Sequence, residues 1–454
     1  MNLDSKIIII ENNRCAWGKC VFCSFSKKQD VPTLSEAKLK EWIERELRGI
    51  ETLKQLKFFN SGSFLDENQI PISIQDFILS KCKSLKTKEL IFECHPIFIT
   101  EKNIKRIKQK LHSLDYDLKI SVGIGLESAD DKVLKKIQKG TTIKTFKKAV
   151  DLLKKYDFFA RTYLMANLPF VDNYEKDIHN SIDFALQMSD TVCVINTYPY
   201  GYSKLFDIWM DQKWHPLNKE EFEKITKKYS SNPKVEIYFD DFISYPKFSL
   251  NNQKKTDLYG ANKDNLIHPF YQIWQEYLAN FYIPPKIKKH ILFLPCSFRK
   301  PYARSKTHKA IIERLKSVWG YEKIHQIMIS NPGLIPRELE SKYPFAHYDW
   351  PEIQETKTIK KLYIKITKQR LEKYLENHRN DYSYDSKRPV FCYLKYNSET
   401  YIALNEACKN LNIALVNLLD EEKYRLYKSK NMKNILTHQI LLNKMFLNFA
   451  KRKL

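Results

Sequence analysis

The chain has 454 residues, more than one hydrophobic core usually supports, so two domains are expected; 43% hydrophobic and 29% charged residues describe a soluble globular protein. No apolar run approaches the ~20 residues needed to span a bilayer, and the first residues lack the basic start and cleavage site of a secretory signal, so no membrane partner and a cytoplasmic location are expected. Lys and Arg number 77 against 53 Asp and Glu, and the resulting +24 favours a polyanionic partner through counterion release.

In chain order, short β-type runs at 7–10, 56–60, 90–93, 119–125, 159–164 and 191–196 alternate with lysine-rich helical segments such as 35–53 and 144–155. Six such repeats predict an α/β fold, a parallel sheet or partial (β/α)6 barrel with its ligands at the carboxyl ends of the strands. From 211 to 285 the pattern loosens into β-like pieces, one at 234–240, then a polar stretch at 251–265 and an aromatic helix near 271–282, before Pro284-Pro285. A second, smaller α/β domain is predicted from a strand at 290–294, a helix at 305–319 and strands at 324–329, 390–394 and 414–418. Residues 425–454 hold eight Lys/Arg and no acid, with Ile435, Leu436, Ile440, Leu441, Met445 and Phe446 at near-helical spacing, which predicts a basic amphipathic tail helix.

Three of the nine cysteines crowd into Cys15-Ala-Trp-Gly-Lys-Cys20-Val-Phe-Cys23, directly after the first strand. In a reducing compartment such spacing reads as metal binding. Three thiolates can hold three irons of a 4Fe–4S cluster and leave the fourth iron open for a bidentate ligand. The alternative is a structural zinc, which normally takes four closed ligands; no fourth Cys or His follows within the next forty residues.

This cysteine loop, with an aromatic residue before its last cysteine, resembles the signature of radical S-adenosylmethionine enzymes, with one extra residue between the first two cysteines. The resemblance implies that Cys15, Cys20 and Cys23 ligate the cluster, that S-adenosylmethionine is the second cofactor, and that an electron donor such as ferredoxin or flavodoxin is a partner. Further motifs follow in order. The stretch Asn60-Ser61-Gly62-Ser63-Phe64-Leu65-Asp66 is similar to the family's small-residue loop beside the methionine amino group, which implicates Asn60, Ser61 and Gly62. Glu93 ends the third strand, where a carboxylate would grip that ammonium or the ribose, and Gly123-Ile124-Gly125-Leu126-Glu127-Ser128 resembles the segment that places Glu127 and Ser128 at the ribose. Each motif alone is weak, since Glu93 or Glu127 could simply pair with a lysine. The Asn-Ser-Gly-Ser-Phe-Leu-Asp run, Glu93–Thr100 and the tyrosine-rich 196–202 segment narrow the resemblance to the radical enzymes of archaeosine biosynthesis, over roughly residues 5–230.

In the second half, Pro295-Cys296-Ser297-Phe298-Arg299-Lys300-Pro301-Tyr302-Ala303-Arg304-Ser305-Lys306-Thr307-His308 runs from a strand into a helix, a place for a nucleophile or an anion-binding nest. Read on chemistry alone, Cys296 is equally an inert packing residue and Ser305 a helix cap. The string resembles the Pro-Cys-x3-Lys-Pro-Tyr-x2-Ser-x2-His motif of the archaeosine synthase core domain, as does the block from Ile329 to Asp349. That family joins the side-chain amine of free lysine to the nitrile of a cyano-deazaguanine in tRNA, and a radical enzyme then cleaves the adduct to the formamidine. The resemblance implies tRNA and free lysine as partners and Cys296, Lys300, Ser305, His308 and Asp349 as catalytic residues. Lys300, Ser305 and His308 are expected to position the substrate or transfer protons, His308 being best placed to shuttle them by its intrinsic pKa, and Asp349 is a candidate for holding the incoming ammonium. The family's transglycosylase-like and PUA domains have no counterpart here, which leaves RNA recognition to the basic surface, the tail or a partner protein.

The expected organisation is a radical S-adenosylmethionine domain at 1–230, a connecting region at 231–287, an archaeosine-synthase-core-like domain at 288–420 and a basic helical tail at 421–454. Two other readings stay open: a radical enzyme acting on a deazaguanine in DNA or on another tRNA base, with a non-catalytic second domain, and a zinc-containing RNA-binding protein without catalysis.

Overall fold

The structure, a computed structural model, describes residues 1–24, 31–60, 62–201, 203–239, 257–318 and 320–450. The chain divides into two compact units, Met1–Pro246 and Lys247–Leu454. Among the described residues no helix is long and apolar enough to cross a membrane.

The first unit is a curled half-barrel of seven parallel strands paired in chain order. These are β1 (Asn2–Ile10), β2 (Thr52–Asn60), β3 (Glu89–Cys94), β4 (Lys119–Glu127), β5 (Phe159–Ala166), β6 (Thr191–Asn196) and β7 (Val235–Tyr238). Successive side chains point to opposite faces, so Ile8, Phe58, Phe92, Val122, Leu164 and Val194 enter the buried core. Their neighbours Ile7, Lys57, Glu93, Arg161, Cys193 and Glu236 take the other face. The crossover helices begin where a side chain can accept from an orphan backbone N–H: Ser35, Thr100, Thr142 and Asn173 each cap one. Two features differ from the six-repeat expectation. β1 starts at Asn2 because its polar first residues pair with β2, Asn2 opposite Thr52, a bond that hydrophobic patterning does not reveal. β7, inside the β-like piece at 234–240, adds a seventh strand beside β6.

The second unit is also α/β. Its five-stranded sheet has the order β11-β10-β9-β13-β14, built from β9 (His290–Pro295), β10 (Ile324–Ser330), β11 (Gly333–Pro336), β13 (Val390–Cys392) and β14 (Leu415–Asn417). A separate short pair joins β8 (Leu258–Tyr259) to β12 (Tyr348–Asp349). β9, β10, β13 and β14 are parallel and β11 returns antiparallel along β10. The chain leaves β9 for β10 on one side and later crosses to β13 on the other. The carboxyl end of β9 is therefore a topological switch point, where open α/β sheets bind ligands.

The segment expected as a single tail helix is two helices, Glu421–Ser429 and Gln439–Ala450. Leu441, Leu442 and Met445 belong to the core of the second unit, Arg314 lies 4.6 Å from the Phe446 ring centre, and Lys444 pairs with Asp420 at 2.5 Å. Residues 451–454 of that tail lie outside the described residues.

Candidate functional sites

In the first unit the cysteine loop hangs from the carboxyl end of β1. It is tied to the segment after β4 by Val21 N–H donating to Ile137 O at 2.9 Å and by Trp17 Nε1–H donating to Gln138 O at 2.7 Å. Gly140 completes that contact. Its φ of +73° suits glycine, and a Cβ there would stand 2.2 Å from the Trp17 ring. Burial pushes the Cys20 thiol up to about 12; Lys139 opposes the rise, while Cys23, Glu127 and Cys15 add to it. The three thiols and one ammonium thus share one electrostatic neighbourhood.

Lys139 is the centre of this site. Its Nζ meets Glu127 Oε1 at 2.6 Å, with side-chain exposures of only 10% and 8%. Burial lowers its pKa, but Glu127, Cys20 and Cys23 outweigh that and hold the ammonium above its usual range. Glu127 sits at a register irregularity between β4 and β5 with φ of +69°, a conformation seldom taken by a side chain of this size, and it persists because the ion pair over-determines it. Gly125 makes room, since a Cβ would lie 2.4 Å from Glu127 Oε1 and 2.6 Å from Lys139 Nζ.

At the ends of β2 and β3, Asn60 is buried and neither its Oδ1 nor its Nδ2 has a partner among the described residues. The following loop is stitched to β3: Phe64 N–H donates to Glu93 O at 2.9 Å and His95 N–H to Ser63 Oγ at 2.9 Å. Gly62 lies in this loop with the Gln69 side chain where its Cβ would be, and Ser61 lies outside the described residues. Burial, then Glu127, pushes the Glu93 carboxyl up to about 7 against Lys139, Arg161 and Tyr163. His95 touches Lys139 O at 3.2 Å and stacks on Trp17, and burial and Lys139 lower it to about 4. Ser128 turns elsewhere: its hydroxyl donates to Asp177 Oδ1 at 2.7 Å and accepts from Asp130 N–H. Sequence reasoning gave Lys139 and His95 no role.

This set fits a cubane cluster and an amino-acid ligand. Half-buried thiols beside carboxylates need a cationic core to become thiolates, and Asn60 offers a donor and an acceptor with no partner among the described residues, suited to a carboxylate and an ammonium. Among the described residues no three His, Cys, Asp or Glu side chains close on a single metal ion; a cubane takes one thiolate per iron, so its ligands need not share a point.

In the second unit the motif from Pro295 to His308 lies just past β9, at the switch point. Cys296 is exposed to solvent, though its near surroundings are dense enough to raise its thiol above the usual range, with Ser330 and Lys300 opposing. Lys300 Nζ lies 4.0 Å from the centre of the Tyr348 ring. Burial pulls its ammonium below the usual range, against Asp349 and Cys296. Asp349 adjoins this group and accepts from Trp350 N–H at 2.9 Å. Cys296, Lys300 and Asp349 are therefore brought together.

Ser305 and His308 are not turned to that opening. Ser305 is buried and caps the helix Lys306–Lys316, its Oγ accepting from His308 N–H at 3.1 Å. His308 is fully buried: Nε2 bonds Pro295 O and Nδ1 accepts from Arg337, each at 2.9 Å. Burial, then Arg337, lowers it to about 3, so the ring is neutral and both nitrogens are engaged. The expected proton shuttle thus has a positioning geometry, fixing the carbonyl that precedes Cys296. Arg337 is itself held by Glu340 and Gln326. Sequence reasoning also missed Ser330 and Tyr348. Both fall in the second motif block, and the signal available was two hydroxyls flanking the motif's apolar strand and its aspartate.

Compared with known proteins, residues 9–185 match the radical SAM superfamily and residues 271–422 match a domain of unknown function, DUF5591. The archaeosine synthase subunit beta of Methanosarcina acetivorans is 29% identical over 198 residues, 41% of this chain and 56% of that protein. The archaeosine synthase subunit alpha of Thermoplasma acidophilum is 33% identical over 134 residues, 29% of this chain and 26% of that protein. The chain thus spans about half or less of the length of these curated relatives. Among solved structures, a queuine lyase from Clostridium spiroforme bound to SAM and queuine aligns over 52% of this chain and 90% of its own, at 20% identity and a TM-score of 0.38.

Proposed function

From a chain that carries a radical SAM domain, whose family binds a 4Fe–4S cluster and S-adenosylmethionine, fused to a DUF5591 domain, we propose that it is a tRNA-modifying enzyme of archaeosine-type chemistry performing two consecutive steps. One observation carries this reading: a single chain, with stretches similar to the beta and to the alpha subunits of archaeosine synthases, holds two candidate sites, each at the carboxyl ends of parallel strands.

In the first step the second unit adds the side-chain amine of free lysine to the nitrile of a cyano-deazaguanine in tRNA. The amine lone pair forms the new C–N bond, one C≡N π pair goes to the nitrile nitrogen, and a proton moves from the amine to that nitrogen, giving an amidine with no oxidant or reductant. Asp349 holds the lysine, and Lys300, whose ammonium burial destabilises, exchanges the proton. Nucleophilic help from Cys296 and direct attack by the amine both satisfy this balance.

In the second step the first unit cleaves the lysine portion and leaves the formamidine. Cys15, Cys20 and Cys23 would hold the cluster, and Asn60, Ser61, Gly62, Glu93 and Glu127 the S-adenosylmethionine, while Ser128, bonded to Asp177, would not reach it. When bound and reduced, by a donor such as ferredoxin or flavodoxin, these cofactors supply a 5′-deoxyadenosyl radical. Lys139 keeps a fixed positive charge beside the thiolates, and Glu93, pushed up to about 7, can hold or release a proton near neutrality. The +24 net charge draws in the RNA.

The test is anaerobic reconstitution with iron, sulfide, a reductant, S-adenosylmethionine, labelled lysine and tRNA carrying the nitrile base. Lysine label entering the tRNA and leaving again as the formamidine forms is the expected result. Label that never enters the tRNA overturns the first step, and adduct that forms but persists overturns the second.

A further inference from the structure

The surroundings of Cys296 choose between the two routes left open for the first step. At the carboxyl ends of β9 and β10, and from β12, a chain of hydroxyls leads to the sulfur. Tyr302 and Tyr348 share a hydrogen bond between their hydroxyls at 2.5 Å, Tyr348 is bonded in turn to Ser330 Oγ, and Ser330 faces the Cys296 thiol. Tyr302 and Ser330 are fully buried and Tyr348 is 7% exposed, so this chain of hydroxyls lies in low dielectric, yet it leads to a residue that is open to solvent. A hydroxyl can donate in either sense. With an anion at the sulfur all three orient toward it, Tyr302 to Tyr348 to Ser330 to Cys296, and such a chain strengthens as each bond polarises the next. The ring of the same Tyr348 lies under the Lys300 ammonium at 4.0 Å, so one side chain positions both the hydroxyl chain and the amine.

We infer that Cys296 is a covalent nucleophile, with Ser330 and Lys300 as its catalytic partners and Tyr348 as the positioning residue that couples them. This rests on the nitrile substrate proposed above. Lys300 as the free amine takes the thiol proton. The sulfur forms a C–S bond to the nitrile carbon while one C≡N π pair moves to nitrogen, and Lys300 returns the proton to that nitrogen, giving a thioimidate. The incoming amine then forms the C–N bond, the C–S bond breaks, and the proton lost by the amine restores the thiol. No electrons are gained or lost. Ser330 stabilises the sulfur anion both as it forms and as it leaves, whereas direct attack by the amine would give this hydroxyl chain nothing to stabilise.

The experiment incubates the full chain with tRNA carrying the nitrile base and without lysine, quenches it in acid and measures a protein–tRNA adduct on a denaturing gel, mapping the attachment by peptide mass. The expected result is an adduct on Cys296 that forms faster as pH rises through the Lys300 titration, is absent in Cys296→Ala, and is discharged by lysine. Ser330→Ala should slow it about tenfold, the loss of one hydrogen bond to a charged group, and Tyr348→Phe, which keeps the ring under Lys300 and removes a neutral hydrogen bond behind Ser330, should slow it by less. Tyr348→Leu should slow it further and flatten the pH dependence. Lysine incorporation by wild type with no adduct, and its retention in Cys296→Ala, would overturn the covalent route and leave the two-step function standing. An adduct that lysine cannot discharge would support the nucleophile and overturn the lysine transfer, and absence of both adduct and incorporation overturns both.

Discussion

The two units use the same kinds of residue to opposite ends. Each places a cysteine and a lysine just past the strands of a parallel sheet and anchors them with a buried histidine that contacts a backbone carbonyl, His95 at Lys139 O and His308 at Pro295 O. The lysines then diverge. Glu127 and the thiols hold Lys139 above its usual range, whereas burial draws Lys300 below it over the face of a tyrosine. A lysine with a carboxylate in contact is a fixed charge; a lysine over an aromatic face, with a neighbouring carboxylate but no ion pair among the described residues, is a titrating amine. The first suits a site that must keep thiolates ionised, the second a site that must move protons.

The sharpest way to break this comparison is to remove the thiols separately. Cys20→Ala should reduce formation of 5′-deoxyadenosine from S-adenosylmethionine to background and lower bound iron, while Cys296→Ala should leave both unchanged. Normal deoxyadenosine formation by Cys20→Ala would contradict the assignment of the first site.

Removing the lysines comes next. Lys139→Met strands Glu127 in a buried site and should cost the first unit about 3–5 kcal/mol in urea unfolding. Lys300→Met leaves no bonded partner charge behind and should change stability by no more than about 1 kcal/mol while stopping the first step. Equal destabilisation by the two variants would erase the distinction drawn between them.

The histidines sharpen it further. Both have folded pKa values below the usual 6.5, so the unfolded chain binds the proton first. Their contribution is complete above about pH 6.5 and is lost as pH falls, through about 4 for His95 and about 3 for His308. Each should steepen the loss by up to about 1.4 kcal/mol per pH unit within its window. His95→Gln should flatten the acid limb of the first unit only, as read by urea titrations from pH 7 to 4.

Much of the fold was legible because alternation and helix caps are local. The parallel strands and the cysteine loop stand in the sequence as read, whereas the switch point follows from the strand order that the structure supplies. What was not legible is burial. Ser305 and His308 have the chemistry of a proton-transfer pair, and only packing shows that one caps a helix and the other has both nitrogens engaged. Ser128 stands beside Glu127 in the motif but faces Asp177, because the chain turns at the positive φ of Glu127. The tail shows the same limit: its apolar residues predicted an amphipathic helix, and the structure places Leu436, Leu441 and Met445 in the second core. Truncating it would therefore unfold that unit, and the finer test is charge. Lys428, Lys430 and Lys433, all exposed, changed together to Gln should lower the salt dependence of tRNA affinity by about 0.7–0.9 per lost phosphate contact. An unchanged slope would place the RNA elsewhere.

The central claim is that the two units act in sequence on one nucleoside, and nucleoside mass spectrometry of tRNA from cells carrying single variants tests it most directly. Cys20→Ala should accumulate the lysine amidine, and Lys300→Met should accumulate the unreacted nitrile. The same species in both strains, or a finished formamidine in either, would contradict the account.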